Sequence, residues 1–309
     1  MITPRNERDP MTTMREDAHR SCPLCGQTAI LVLHARDVNR RTTDEVFSYY
    51  RCIRCFLVFV SPIPPEPGRY YPSEYYPVPS SLDQLEAEAA SERYKVEYVK
   101  RFVNSGRLLD IGAGYGRFVY LAHQAGYEVD AIEIDGKCCE FIANVIGTRA
   151  MAHPQPDVAL AGLEPYDVIT AWHVLEHLTD PRAALKAAVQ NLRAGGWLIV
   201  AMPNPESLQF RVFGHCWAHL DAPRHLQLLP PNLLIHEVTS DGRMRFVEAT
   251  ATDRGSLDYN YLGWTWSMRH ALRVRGAWRV GAILARTLAR CEQAGMRGSC
   301  YTAAFQKPG

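Results

Sequence analysis

Hydrophobic and polar positions follow two different patterns along the chain, and the change falls near residue 105. Before it, short apolar runs at residues 29–33 and 46–50 predict two strands, and apolar residues at helical spacing predict a helix over residues 82–103. After it, apolar runs of strand length alternate with amphipathic segments of helix length. Such repeated units make a parallel sheet with helices on both faces. The pattern therefore predicts an α/β fold for residues 106–309.

Start and stop signals bound the elements of this α/β region. Asp180 before Pro181 is a helix N-cap with proline in the first turn, and Gly126 ends a helix. We predict strands at 108–111, 127–134, 166–172, 197–202, 243–250 and 299–306, and helices at 137–146, 181–192, 231–240 and 274–290. Residues 203–229 have no periodicity and are predicted to be an irregular loop. Residues 253–297 otherwise hold no motif.

The N-terminal third divides into three predicted segments. Residues 1–20 are polar and mixed in charge, without an apolar core for a secretory signal, and we expect a disordered leader. Residues 21–60 contain four cysteines and the two short strands. Residues 61–105 begin with a run dense in proline and tyrosine, which prevents regular structure, and end with the predicted helix. We interpret this third segment as a linker.

Composition limits the class of protein. The 309 residues are 47% hydrophobic and 22% charged, as in soluble globular proteins. A net charge of +1 does not favour a broad nucleic-acid surface, and no apolar run reaches the roughly 20 residues of a membrane span. The nine cysteines make a poor disulfide framework. We therefore expect a cytoplasmic protein, and its oligomeric state is left open.

Four of the cysteines have the spacing of a zinc site. Cys22 and Cys25 form one C-x2-C pair, and Cys52 and Cys55 form a second. Two such turns bring four thiolates into a tetrahedron, which leaves no open position for catalysis, so we predict a structural zinc in a small ribbon. Gly26 can adopt the positive φ of such a turn. Two buried free pairs and redox-active dithiols are the alternatives.

A glycine-rich turn follows the first strand of the α/β region. Gly112, Gly114 and Gly116 stand where strand becomes helix, and only glycine lets a cofactor approach the backbone there. Glu133 lies at the end of the next strand, where a carboxylate accepts the ribose hydroxyls of a nucleoside cofactor. Asp110, before the glycines, would repel a pyrophosphate and suits the ammonium of S-adenosylmethionine (SAM). NAD is therefore the less favoured cofactor.

These residues resemble the first motif of class I SAM-dependent methyltransferases. A second segment, Tyr166 to Pro181, is similar to the fourth-strand segment of the same family, and the two motifs together cover roughly residues 107–250. The resemblance implies a Rossmann-like methyltransferase sheet that binds SAM through Asp110, Gly112, Gly114 and Glu133. It also implies that Trp172 and His173 flank the sulfonium and adenine of the cofactor.

The zinc module, tyrosine-rich linker and methyltransferase domain together resemble sugar and natural-product methyltransferases. In the sugar C-methyltransferases, a Y-x-E-H segment supplies a histidine base. This chain keeps His225 but has Ala222 and Arg224 in place of Tyr and Glu, which puts C-methylation of a keto-sugar in doubt. We expect His225 to be the base and Arg224 to suit an anionic acceptor. His177 and Tyr76 are further catalytic candidates.

The leading hypothesis is methyl transfer from SAM to oxygen or carbon of a small molecule, such as a sugar or nucleotide-sugar. The main alternative is an RNA methyltransferase that grips its substrate with the zinc module; nucleic acid is not the partner that we expect. A NAD-dependent enzyme and a non-catalytic SAM-binding protein are further alternatives. The arginines at residues 269–290 are interpreted as a solvated helix face, with membrane-surface or RNA contact as alternatives.

Overall fold

Two β-sheets organise the part of the chain that the structure describes. The computed structural model describes residues 18–72 and 75–309. The predicted leader lies outside the described residues up to residue 17, and the first strand begins at His19. One sheet is small and antiparallel, and the other is large and mostly parallel. The predicted α/β fold with a small N-terminal sheet is confirmed.

The small sheet is built mainly from the cysteine-containing segment. Its last strand comes from residues 203–229, the segment predicted to be a loop, and pairs Gln227 with Phe59. Its five strands, in spatial order, are β1 (His19–Ser21), β2 (Thr28–Ala35), β3 (Phe47–Cys52), β4 (Val58–Val60) and β10 (Gln227–Leu228). Two distant parts of the chain therefore share one sheet. The predicted domain boundaries at residues 60 and 105 stay predictions.

The large sheet has seven strands, and its order reverses beside β5. In spatial order they are β11 (Arg245–Thr250), β12 (Cys300–Gln306), β9 (Leu192–Pro203), β8 (Tyr166–Trp172), β5 (Gly106–Ile111), β6 (Tyr127–Glu133) and β7 (Arg149–Ala152). β5 to β9 run parallel, and β12 is antiparallel to both neighbours. The crevice for a ligand lies at the carboxyl ends of β5 and β8.

Helices cover both faces of the large sheet, as predicted. The helices are α1 (Leu82–Ala89), α2 (Arg93–Lys100), α3 (Arg117–Gln124), α4 (Gly136–Phe141), α5 (Pro156–Ala159), α6 (Pro181–Gln190), α7 (Leu208–Phe213), α8 (Pro231–Thr239), α9 (Arg254–Leu272) and α10 (Ala277–Gln293). One face is covered through Val99 and Phe118, the other through Leu185 and Leu234. The predicted N-cap of α6 is present, since Asp180 Oδ1 accepts from the Ala183 amide at 2.9 Å.

A third core joins the small sheet to the rest of the molecule. Phe47 and Tyr49 of β3 pack with Trp217 and Leu220, which follow α7, and with Trp264 of α9. All five side chains are buried. This core fixes the small sheet against the crevice side of the large one.

Helix α9 has no counterpart among the sequence predictions. Its buried positions are mostly small or polar residues, such as Gly263 and Ser267, while Tyr261, Leu262 and Trp266 are exposed. The usual apolar stripe of an inward helix face is therefore missing from the sequence. Helices α9 and α10 form an antiparallel hairpin between β11 and β12. No helix in the described part of the chain is long and apolar enough to cross a membrane.

Candidate active site

The glycine turn after β5 has backbone angles that favour glycine. Gly112, Gly114 and Gly116 have φ of +77°, +54° and +91°. A Cβ on Gly112 would lie 2.5 Å from Val174 Cγ2, so no larger residue fits there. Asp110, the buried acid of β5, accepts a hydrogen bond from Thr170 Oγ1 at 2.7 Å. Burial raises the pKa of Asp110 to about 7.

Glu133 ties the end of β6 to the glycine turn. Its carboxylate accepts from the Gly114 amide at 2.7 Å and from the Ile134 amide at 2.8 Å. A third amide, that of Asp135, lies at 3.2 Å. A carboxylate has about four acceptor positions, so capacity is left for a hydroxyl donor. Burial raises the pKa of Glu133.

A cavity of about 490 Å³ opens at the carboxyl ends of β5 and β8. Of the residues predicted to bind the cofactor, it brings together five: Asp110, Gly112, Gly114, Trp172 and His173. Trp172 Nε1 is buried and has no acceptor among the described residues, so it is a donor available to a ligand. The sixth, Glu133, is not among the residues that line the cavity and lies behind the glycine turn, where it accepts from the Gly114 amide.

Three charged residues on the cofactor side were missed by the sequence analysis. Glu92 pairs with Lys95 at 2.7 Å and with Arg117 at 2.8 Å, and all three line the cavity. Lys95 Nζ also lies 5.5 Å from the centre of the Trp172 ring. They belong to the amphipathic pattern of α1 to α3, which predicts helices but not which charges face the crevice. The two cations offer partners for a carboxylate.

His225 lies on the opposite wall, and its tautomer is fixed by one hydrogen bond. Its Nδ1 is 2.8 Å from the His219 carbonyl oxygen, which can only accept, so Nδ1 carries the hydrogen. In the neutral ring, Nε2 then holds the free lone pair. The Tyr49 hydroxyl donates to the His225 carbonyl at 3.0 Å, so β3 of the small sheet holds this residue in place.

His177 stands beside His225, with ring centres 4.6 Å apart. Its Nδ1 lies 2.9 Å from the Tyr71 hydroxyl and 3.1 Å from the Arg224 carbonyl oxygen. Burial and the nearby His225 lower the pKa of His177 to about 4. This makes His177 a weaker base than an ordinary histidine.

A buried carboxylate lies among the histidines. Glu176 is fully buried, and its two oxygens accept no hydrogen bond from the described residues. Its Oε1 is 3.6 Å from His173 Nδ1. Burial alone would raise the pKa of Glu176, but the neighbouring His173, His225 and His177 lower it. His173 itself has a φ of +55°, rare for a residue with a side chain and common at functional sites.

The expectation that Arg224 faces an anionic acceptor is wrong. Its guanidinium is buried and donates to Asp37 at 2.7 and 3.0 Å and to Asp221 at 2.7 and 2.8 Å. The carboxylates of Asp37 and Asp221 together neutralise the charge of Arg224. Sequence position could not show this, because Asp37 lies 187 residues away. A different arginine, Arg40, lines the cavity from the loop between β2 and β3.

Tyr76 lines the cavity at the glycine turn. A Cβ on Gly114 would lie 3.4 Å from Tyr76 Cε1, so the ring packs over the turn. Burial raises the pKa of Tyr76 well above its ordinary value. The Tyr75 ring is 4.9 Å from that of Tyr76, and the Arg40 guanidinium lies 5.0 Å from the Tyr75 ring. The linker thus contacts both the glycine turn, through Tyr76, and the cavity wall at Arg40, through Tyr75.

The four predicted zinc ligands come together at one end of the small sheet. The sulfur of Cys25 is 3.4 Å from that of Cys52 and 3.6 Å from that of Cys55, and Cys22 and Cys55 are 3.6 Å apart. Four thiolates at ~2.3 Å from a tetrahedral Zn²⁺ would be about 3.8 Å apart. The amide of Arg54 points at Cys52 Sγ at 3.4 Å. The cluster fits a small zinc module.

The sheet order, the glycine turn and the crevice define a class I SAM-dependent methyltransferase. The methyltransferase-domain family matches residues 84–240, half of the chain, and the protein belongs to that family.

Named relatives are similar over part of the chain. The ubiquinone biosynthesis O-methyltransferase of Bordetella avium (strain 197N) is 28% identical over 131 residues, 39% of this chain and 54% of that protein. That of Bordetella bronchiseptica is 27% identical over 170 residues, 52% and 69% of the two chains. The chain thus spans about half the length of the first relative. A solved SAM-dependent methyltransferase from Archaeoglobus fulgidus matches with a TM-score of 0.48 and 18% identity, over 71% of this chain and 94% of that one.

Proposed function

We propose that the protein methylates a hydroxyl oxygen of a small-molecule acceptor, with His225 as the general base. The observation that carries this proposal is the hydrogen bond from His225 Nδ1 to the His219 carbonyl, on the wall of the cavity. This hydrogen bond leaves the lone pair on Nε2 free to take a proton. Two similar proteins are ubiquinone biosynthesis O-methyltransferases, which supports oxygen as the methylated atom.

The protein has two tasks in this reaction. SAM supplies a methyl group on a sulfonium, which is already a good leaving group. The cavity walls would hold the acceptor oxygen in line with that methyl group, whose bond to sulfur breaks as the bond to oxygen forms and leaves S-adenosylhomocysteine. His225 Nε2 removes the hydroxyl proton as the oxygen bonds to carbon, and the imidazolium later releases this proton to water.

Glu176 is placed to help His225 as a positioning residue. It is a buried carboxylate whose oxygens accept no hydrogen bond from the described residues, and His173, His177 and His225 surround it. A negative charge at this place stabilises the imidazolium that forms when His225 accepts a proton. His177, whose pKa is lowered to about 4, stays neutral and orients the loop through Tyr71 and Arg224.

The acceptor in this proposal carries an anionic group. Arg40 and Asn39 line the cavity on the side of the small sheet, and Arg40 lies over the Tyr75 ring. An arginine at the mouth of a cavity pairs with a carboxylate or phosphate. A nucleotide-linked sugar and a carboxylated metabolite both meet this requirement.

The cofactor and metal assignments are part of the same proposal. Asp110 would hold the SAM ammonium, Lys95 and Arg117 its carboxylate, and Glu133 its ribose hydroxyls. Cys22, Cys25, Cys52 and Cys55 would hold a structural zinc. The zinc takes no step in the reaction, because four thiolates complete its coordination.

The test compares His225→Ala with His215→Ala, an exposed histidine of the same segment. Both proteins would be incubated with methyl-labelled SAM and the small-molecule, RNA and protein fractions of a lysate. We expect label in the small-molecule fraction, about 10²–10⁴-fold slower for His225→Ala and unchanged for His215→Ala. S-adenosylhomocysteine affinity, measured by calorimetry, should be the same for all three proteins.

Two results would contradict the proposal. Label in RNA alone would make the acceptor a nucleic acid. Label in small molecules at an unchanged rate in His225→Ala would remove the base. For a positioning role of Glu176, Glu176→Gln should shift the acid limb of the rate–pH profile, a change that a purely structural role does not produce.

A further inference from the structure

The hairpin of α9 and α10 has a charge unlike the rest of the chain. Residues 259–291 contain six arginines and no aspartate, glutamate or lysine. The whole chain has a net charge of +1, with 34 basic and 33 acidic residues, so the remainder carries 28 and 33, a net charge of −5. The hairpin also lies outside residues 84–240, the part that the methyltransferase family accounts for.

The same hairpin exposes large apolar side chains. Trp266 and Trp278 are each 49% exposed, and Val274 and Ile283 are each 60% exposed. Leu262 and Leu272 are also exposed. These apolar residues and the six arginines are the exposed set that we call the hairpin face: Leu262, Trp266, Arg269, Leu272, Arg273, Val274, Arg275, Trp278, Arg279, Ile283, Arg286 and Arg290.

Arginines and apolar residues share the same stripes of this face. On α9, Leu262, Trp266 and Arg269 follow each other at spacings of four and three residues, so they lie on one side of the helix. On α10, Arg279, Ile283 and Arg286 do the same. The Arg279 guanidinium lies 5.5 Å from the centre of the Trp278 ring.

Packing within the hairpin fixes which residues face outward. Gly281 lies so close to α9 that a Cβ there would be 2.4 Å from the Trp264 carbonyl oxygen. Trp264 is buried, whereas Trp266, two residues later, is on the hairpin face. The apolar residues of the face are therefore exposed because the small residues of each helix occupy the inner side.

We propose that the hairpin face docks on the surface of an anionic lipid bilayer. Arginines attract anionic headgroups, while tryptophan and aliphatic side chains enter the boundary with the acyl chains. A second copy of the chain would bring arginines against arginines, with no carboxylate on either face to pair with them. A nucleic acid would pair with the arginines but leave Leu272, Val274 and Ile283 uncovered.

The position of the face relative to the cavity gives docking a use. Leu262 and Trp266 line the cavity as well as belonging to the hairpin face. A bilayer that contacts these two residues would therefore lie beside the cavity. An acceptor with an apolar part could pass between the two without crossing water.

Vesicle flotation tests the proposal without an acceptor or turnover, so its outcome is independent of the proposed function. Full-length protein would be mixed with vesicles of phosphatidylcholine containing phosphatidylglycerol, and with vesicles of phosphatidylcholine alone. We expect flotation with the anionic vesicles only, and at least a tenfold loss of binding in high salt, since salt screens the arginines.

Variants distinguish vesicle binding by the hairpin face from nonspecific binding by other parts of the surface. Arg275→Glu with Arg279→Glu should reduce binding at least tenfold, and Trp278→Ser with Ile283→Ser should do the same. The matched control is Arg149→Glu with Val158→Ser, an exposed cation and an exposed apolar residue near the opposite edge of the large sheet. The control should float like the unchanged protein, and all proteins should keep their affinity for S-adenosylhomocysteine.

Three outcomes would overturn the proposal. The first is equal flotation of the hairpin variants and the control. The second is no flotation together with a concentration-dependent dimer, seen by sedimentation, that Trp278→Ser with Ile283→Ser abolishes. The third is no flotation together with RNA binding that depends on Arg275 and Arg279.

Discussion

The cofactor side and the acceptor side of the cavity are built in different ways. On the cofactor side, Asp110, the glycine turn and Glu133 lie within one strand–helix–strand unit, and Gly114 and Glu133 touch across 19 residues. On the acceptor side, His225 bonds locally to the His219 carbonyl, but the Tyr49 hydroxyl that binds its backbone carbonyl comes from 176 residues away. The Gly114–Glu133 part of the cofactor side is therefore local, whereas the acceptor side also depends on a distant segment. Perturbing the small sheet should disable one side and spare the other.

Loss of the cysteine cluster should have the largest effect, because it should reduce methyl transfer without changing cofactor affinity. Cys52→Ser removes one of four thiolates, and a structural zinc site supplies folding free energy to the segment around it. We expect methyl transfer to fall by ~10²-fold or more, while calorimetry with S-adenosylhomocysteine shows unchanged affinity. Metal analysis should find one zinc per chain in the unchanged protein.

Cys291→Ser, at an exposed cysteine outside the cluster, is the control and should behave like the unchanged protein. If cofactor affinity fell together with activity in Cys52→Ser, the two sides would not be separable. That result would contradict the independence of the cofactor side from the small sheet.

The next largest effect should come from the buried ion network of the acceptor side. Arg224→Met leaves the buried Asp37 and the partly buried Asp221 without their cation, and losing one partner of a buried pair costs about 3–5 kcal/mol. Urea unfolding should show this decrease in the free energy of unfolding. Arg182→Met breaks a more exposed pair with Glu237 and should cost no more than about 1 kcal/mol.

Such a contrast shows why the fold was predictable and half of the site was not. The glycine turn, Glu133 and the Asp180 cap are contacts within one or two elements, so spacing along the chain identified them. Arg224 was assigned to the acceptor because its place in the loop was known and its partner Asp37 was not. β10 and α9 were missed because neither has a recognisable sequence pattern: β10 has two residues, and α9 buries small residues rather than an apolar stripe.

A smaller effect should appear as a pH dependence that belongs to the cofactor side. Burial raises the pKa of Asp110 to about 7 in the folded protein, above its ordinary value of 3.8. The folded state therefore binds a proton that the unfolded chain has released, and stability falls as pH rises toward and through 7. We expect the free energy of unfolding to drop by on the order of 1–2 kcal/mol between pH 5.5 and 8.

Asp110→Asn has no such titration, so its unfolding should lose this part of the pH dependence. Urea titrations at the two pH values measure both proteins without ligand. An identical pH slope in the two proteins would show that Asp110 is not the group responsible.

The smallest effect should come from Arg40, at the mouth of the acceptor side. Arg40→Ala should raise the KM for an anionic acceptor about tenfold, or ~1.4 kcal/mol, with little change in kcat, since the cation is far from the reacting atoms. Arg41→Ala, the neighbouring exposed arginine, is the control. Equal KM values in the two variants would count against an anionic group on the acceptor.

The strand β10 has a consequence for synthesis of the chain. Tyr49 leaves the ribosome 176 residues before His225, its partner. At ~5–20 residues per second, the ribosome needs roughly 10–35 s to make the intervening chain. During that time β4 presents an unpaired edge, and the nascent N-terminal sheet has only its own four strands. The N-terminal sheet is therefore made early and completed late, and a chaperone or an early metal ion would meet it in that interval.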